Sequence, residues 1–206
     1  MICVTFSKPT VEMFLLKHPE VKMIELRLDL MEIDKTTLQR FLALPVEAIV
    51  TCRPTRKIPE NQRLTLLLQS ISLGARYVDV EIESGTNFIA TVKKSATEHN
   101  CKLIVSYHNF EKTPELSELE KIVENCRTAQ ADIVKIACMV NDERDILNIK
   151  SLYAKNKIII ALGMGEKGTI TRIKACEWGA PFTYAAAEPD APVAPGMVGY
   201  DCFLLP

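Results

Sequence analysis

The 206-residue chain lacks any imbalance of charge: 25 lysines and arginines stand against 26 aspartates and glutamates, a formal net charge of −1. No long-range field therefore draws it to nucleic acid or to an anionic membrane. It also lacks an apolar run long enough to cross a bilayer. The opening residues MICVTFSK read as a strand and carry no signal-peptide pattern, so the protein is expected in the cytoplasm. No C-x-x-C pair occurs among the seven cysteines, Cys3, Cys52, Cys101, Cys126, Cys138, Cys176 and Cys202. They are scattered and odd in number, and four of them (Cys3, Cys52, Cys101 and Cys138) lie in or beside apolar runs. They are expected to be small buried hydrophobes in a reducing compartment. His18, His99 and His108 are far apart and none has ligand spacing to cysteine, so no metal site is expected. No linker, repeat or low-complexity stretch divides the chain. Residues 1–206 are therefore expected to form one domain.

What is present is an alternation. Hydrophobic residues make up 48% of the chain and charged residues 25%, the balance of an ordinary globular protein. Short β-rich apolar runs occur at 2–6, 23–30, 47–53, 77–82, 102–108, 133–140, 157–162 and 181–186. Longer amphipathic stretches separate them. In 113–130, Thr113 is expected as the N-cap, with Pro114 at the first helical position and Leu116, Leu119, Val123 and Cys126 on one face. Segments 60–73 and 142–154 carry similar stripes, Leu64, Leu68 and Ile71 in one, and Ile146, Ile149 and Tyr153 in the other. Strands alternating with helices imply parallel pairing through right-handed crossovers. A count of eight favours a closed (β/α)8 TIM barrel over an open doubly wound sheet, at the short end of the known range.

Parallel strands covered on both faces should be nearly all apolar. Several of these are not. Glu25, Arg27 and Asp29 alternate with leucines, and a period of two puts all three on one face. Asp79 and Glu81 share a face likewise. Arg53 and His108 end their runs, and Lys135 has apolar neighbours on both sides. Glu25 and Arg27 read equally as a buried ion pair or as a ligand clamp, and Asp29 reads as structural. Burying so many charges without use would cost several kcal/mol, on the order of that per unpaired ion. Barrel active sites lie at the C-terminal ends of the strands. Desolvation favours the neutral form of a lysine, and a neutral amine attacks ketones and aldehydes. The alternative for Lys135 is a structural pair with Asp79 or Glu81. His108, one strand before it, is placed to shuttle a proton beside an imine carbon.

The segment from Gly163 to Gly168 fits G-x-G-x-x-G, with Glu188 following 20 residues later. This is the form of a dinucleotide fingerprint, but that motif opens a sheet at its first strand, and here almost no chain follows. Anion binding by a loop after the seventh strand, with Arg172 near the start of the next helix, is the better expectation.

ELRLD (25–29), TCR (51–53), YVDVE (77–81), IVSYHNF (104–110), IVKIA (133–137), LGMGEKGTITR (162–172) and APGM (194–197) occur in order. Together, across the whole chain, they resemble the type I 3-dehydroquinate dehydratases of the shikimate pathway. The resemblance implies a (β/α)8 barrel, dimeric as a rule, without metal or organic cofactor, and in some members fused to shikimate dehydrogenase. It implies that Lys135 forms an imine with the substrate ketone and that His108 moves the protons. It assigns Glu25, Arg27 and Arg53 to substrate binding, Arg172 to the carboxylate, Met164 to packing beside the substrate, and Asp79 or Glu81 to orienting His108 or tuning Lys135. The chain departs from the family pattern in its closing loop, where Val193 and Met197 replace serine and glutamine. It also departs after Arg53, where Pro54, Thr55, Arg56 and Lys57 stand in place of an early acid. DCFLLP leaves little room for a full eighth helix. The alternatives are a class I aldolase on the same barrel, or a weakly active barrel kept for binding or assembly.

Overall fold

The computed structural model describes residues 1–156 and 158–204. Eight strands alternate with seven α-helices. The strands are β1 (Ile2–Phe6), β2 (Met23–Arg27), β3 (Glu47–Thr51), β4 (Tyr77–Glu81), β5 (Lys102–Asn109), β6 (Ile133–Met139), β7 (Ile159–Met164) and β8 (Thr183–Ala186). The helices are α1 (Val11–Lys17), α2 (Lys35–Leu42), α3 (Glu60–Ser72), α4 (Thr86–Glu98), α5 (Leu116–Thr128), α6 (Glu143–Lys155) and α7 (Thr169–Trp178). All ladders are parallel and run in the order β7-β6-β5-β4-β3-β2-β1-β8, a (β/α)8 barrel. After β8 the described chain ends in a 3-10 turn, Tyr200–Phe203, and no eighth α-helix follows among the described residues. Residue 157, expected to begin the seventh strand, and the final two residues lie outside the described residues.

Helix α5 begins two residues later than the sequence suggests. Glu115 stands at its N-cap, and the Thr113 hydroxyl donates instead to the Met139 carbonyl at 2.7 Å, tying the β5–α5 loop to the end of β6. Its expected stripe is otherwise inward, with Leu119, Val123 and Cys126 buried. On α3 the inward face is rotated: Leu67 and Ile71 are buried, and between them and the helix start lies Arg63, while Leu64 and Leu68 are only partly covered.

The register places Thr5 beside Glu25, Thr51 beside Asp79, Ser106 beside Lys135, and His108 beside Ala137, all facing inward. Beneath them the barrel floor is apolar, built from Cys3, Met23, Ile49, Ile104, Ile133 and Ile160. Each such side chain contributes roughly 2 kcal/mol of burial, which offsets the cost of the charged layer above. No backbone ladder joins β7 to β8 among the described residues. The side of β7 that faces the gap is satisfied by hydroxyls. Tyr153 of α6 accepts from the Ala161 N–H at 2.9 Å and donates to the Ala161 carbonyl at 2.7 Å. Thr171 of α7 accepts from the Gly163 N–H at 2.6 Å. Unpaired backbone groups cost about as much as a lost hydrogen bond, so these two side chains spare β7 that cost on its open edge.

Candidate active site

The charged layer opens into a cavity of about 480 Å³ at the C-terminal ends of the strands. Every residue expected to bind or act lines it except Asp79, which lies wholly buried behind Arg53 and Lys135. Lys135 Nζ donates to Asp79 Oδ2 at 2.8 Å and stands 3.8 Å from Glu25. The structural pairing weighed from the sequence is thus present with Asp79, and Lys135 faces the cavity as well. Arg53 grips Asp79 with both terminal nitrogens, at 3.1 and 3.0 Å, and also reaches Glu81 at 2.8 Å and the Ser106 hydroxyl at 2.9 Å. Ser106 in turn donates to Asp79 at 2.6 Å.

Glu25 and Arg27 do not pair. Glu25 accepts from the Thr5 and Thr51 hydroxyls at 2.8 and 2.7 Å, because the register sets those two strands against it. Arg27 turns to Asp29, at 2.7 Å, which gives Asp29 the structural role expected of it. Asp79 and Glu81 make no hydrogen bond to His108 among the described residues.

These contacts set the protonation of the site. Burial raises the Asp79 carboxyl, but Arg53, Lys135 and His108 outweigh it and hold the group well below the usual carboxylate range. Burial, with Arg53 and Lys135 beside it, pushes the His108 imidazole well below its ordinary value of 6.5, and Asp79 opposes this only in part. His108 is therefore neutral at physiological pH. Arg172, the fourth residue of α7, is 3% exposed. Its burial lowers its pKa to about 10, and Glu25 and Tyr184 only partly offset that. It makes no salt bridge among the described residues, and its Nε has no hydrogen-bond partner. Arg27 and Arg53 are satisfied by protein carboxylates, so Arg172 is the cation left to meet an anion.

The glycines of 163–168 serve packing. A side chain at Gly168 would run into the Gly163 backbone, and one at Gly196, where φ is +69°, would collide with the Gly165 carbonyl. The loop after β8 thereby lies against the β7–α7 loop, with the Gly165 N–H donating to Pro195 at 3.1 Å. This brings Val193 and Met197 to the cavity wall beside Met164. Glu188 is occupied by the Thr10 hydroxyl at 2.7 Å.

Five contributors carry no sequence signal of their own. Ser106 and Tyr184 are inward residues of ordinary type. Thr55 and Glu83 line the mouth, and burial raises the Glu83 carboxyl. Arg63 reads as a surface residue of α3. It is fully buried, where it holds Glu81 at 3.5 Å, the Cys52 carbonyl at 3.3 Å and Glu60 at 2.7 Å.

A model of the type I 3-dehydroquinase family matches residues 2–201. The 3-dehydroquinate dehydratase of Methanococcus vannielii is 35% identical over 96% of this chain and 94% of its own length. Among solved structures, 3-dehydroquinate dehydratase from Geobacillus kaustophilus superposes with a TM-score of 0.86 at 24% identity, covering 98% of this chain and 88% of that one. The dehydroquinate dehydratase and shikimate dehydrogenase of S. pombe superposes at 0.79 with 21% identity, over 98% of this chain and 42% of that one. At such identities the structural likeness speaks for the fold.

Proposed function

The chain belongs to the type I 3-dehydroquinase family, and on that premise we propose that it dehydrates 3-dehydroquinate to 3-dehydroshikimate through a Schiff base on Lys135. The observation that carries the reading is one cavity shared by Lys135 and His108, on adjacent strands, with an unpaired arginine in its wall.

The Lys135 amine, once it has given up its proton, adds to the C3 ketone, and the carbonyl oxygen leaves as water. The protonated imine withdraws electrons from C2. Neutral His108 takes the C2 proton, and the bonding pair moves to the nitrogen as an enamine. The pair then returns, expelling the C1 hydroxyl as water with the proton that His108 holds. Hydrolysis of the imine frees the product and the lysine. The substrate carboxylate pairs with Arg172, a bidentate fork in a dry wall. Glu25, Arg27 and Arg53 face its hydroxyl groups, and Met164 packs against the ring. Asp79 and Glu81 act from behind by fixing Lys135 and Arg53. We place the enzyme in the cytoplasm, as a homodimer or joined to a shikimate dehydrogenase as in the S. pombe protein.

The test is trapping. Incubation with 3-dehydroquinate and borohydride should give an intact-mass adduct on the peptide bearing Lys135. His108→Ala should still give the adduct but stall at proton transfer. Absence of an adduct from folded protein at saturating substrate removes the dehydration of 3-dehydroquinate through a Lys135 imine. Cleavage of a carbon–carbon bond in a sugar phosphate would install a class I aldolase in its place.

A further inference from the structure

The floor under Lys135 is aromatic. Tyr184, an inward residue of β8 beside Cys3, is 1% exposed and carries Lys135 Nζ 4.2 Å from its ring centroid. The ring plane is fixed by packing: Phe182 meets it at 5.6 Å and 65°, and Tyr77 meets Phe182 at 5.9 Å and 64°. Its hydroxyl has no hydrogen-bond partner among the described residues. A cation over an aromatic face is attracted by the ring quadrupole, most strongly when both are out of water.

We propose that Tyr184 is a further catalytic residue, whose ring face keeps the nitrogen of the Lys135 imine positively charged until C2 has lost its proton. The proposal rests on the Schiff-base reading. Ammonium plus ketone gives protonated imine plus water, so one positive charge stands over the ring before and after the bond forms. A protonated imine releases its proton far more readily than an alkylammonium does. Once neutral, it scarcely withdraws electrons from C2, and the elimination stops. The groups facing the nitrogen pull in opposite senses. Asp79 on β4 and Glu25 on β2 support the charge, while Arg53 on β3 and Arg172 on α7 oppose it. His108 on β5 and the Cys3 thiol on β1 are neutral in this setting. The ring adds attraction without a base that could take the proton, since burial holds the phenol well above its ordinary value of 10 and keeps it un-ionised.

The experiment is a series at one position: Tyr184→Phe, the same residue carrying one, two and three ring fluorines, and Tyr184→Leu. Each variant is read by the pH dependence of kcat and by the rate of borohydride trapping, with a melting curve as the control for folding. Tyr184→Phe should stay within about threefold of the parent, because the ring remains. Fluorination drains the ring face at nearly constant volume and should lower kcat stepwise. Tyr184→Leu should move the alkaline limb of kcat down by about one pH unit, the size of an enclosed cation–π contact. A flat fluorine series, or a phenylalanine variant as poor as leucine, overturns the proposal; because the fluorinated variants change little in size, this arm stands even if leucine does not fold. If the parent enzyme itself gives no adduct, the Schiff-base reading falls and takes this proposal with it. An adduct on the parent with a flat series sinks this proposal alone.

Discussion

Lys135 and Asp79 stand 56 residues apart in the chain and 2.8 Å apart in the barrel, the amine of β6 donating to a carboxylate that no solvent reaches. The same carboxylate is gripped by both arms of Arg53. Asp79→Asn would leave two buried cations facing a neutral amide. The expected cost is about 3–5 kcal/mol of stability, the range for breaking a buried ion pair from one side. Trapping of the lysine adduct should slow by roughly 100-fold, since about 3 kcal/mol of positioning is lost. Urea denaturation and quenched borohydride trapping read the two effects separately.

His108 gives the protein a pH dependence of known sign. Its folded-state value lies below the 6.5 of a free imidazole. As pH falls below about 6.5, the unfolded chain takes up a proton that the folded chain refuses, and stability falls through that window. Above it the ring is neutral in both states and contributes no slope. His108→Gln should therefore flatten the loss of melting temperature between about pH 7 and pH 5. An unchanged slope would show that the ring protonates freely in the folded protein. Asp79, also depressed, acts only below its ordinary value of 3.8 and leaves this window alone.

Arg172 is buried in the cavity wall, makes no salt bridge among the described residues and has no hydrogen-bond partner at Nε. Arg172→Met should raise the melting temperature and abolish substrate binding together. A shift of the guanidinium to about 10 corresponds to roughly 3 kcal/mol of strain against the charged form, so a stabilisation of about 1–3 kcal/mol is expected. Calorimetry with and without 3-dehydroquinate distinguishes this from a plain packing residue, whose removal would lower stability.

The wall formed by Val193 and Met197 is apolar where a polyol is expected to lie. Val193→Ser with Met197→Gln should lower KM by about 10-fold to 100-fold, about 1 kcal/mol or more for each restored hydrogen bond, with kcat little changed. Steady-state kinetics settles it. A higher KM in the double variant would mean that the apolar wall is itself selected for a different ligand.

Reading the sequence reaches most of this site because period-two alternation on parallel strands leaves few places for a charge to go. Glu25, Arg27, Arg53, Glu81, His108 and Lys135 fall on the inner wall for that reason alone. What it does not reach is pairing between strands. Glu25 and Arg27 share a face, yet register gives Glu25 to Thr5 and Thr51 and leaves Arg27 to Asp29. Arg63 is hidden for another reason. A helix residue facing inward among leucines would be assigned to the surface by charge, and the carboxylates of Glu60 and Glu81, with the Cys52 carbonyl and the Ser84 hydroxyl, make its burial bearable. Thr113 looks like a cap in sequence because hydroxyls commonly cap helices, but the Met139 carbonyl claims it first. Tyr184 has the commonest excuse for an aromatic, which is to fill space.

Among the described residues the backbone ladders leave β7 and β8 unjoined, so the hydrogen-bonded sheet is a curled ribbon with two edges. On the β7 side the Tyr153 hydroxyl of α6 and the Thr171 hydroxyl of α7 satisfy the free backbone groups, and α7, the helix that bears Arg172, is tied to β8 by the Thr183 hydroxyl donating to the Arg172 carbonyl at 2.8 Å. Removing a single oxygen atom, as in Tyr153→Phe, therefore leaves both polar backbone groups of Ala161 without that partner on the open edge of the sheet. The Ala161 amide should exchange with solvent deuterium faster than its neighbours on β6, and the opening should spread toward the ligand's arginine before any other part of the wall parts.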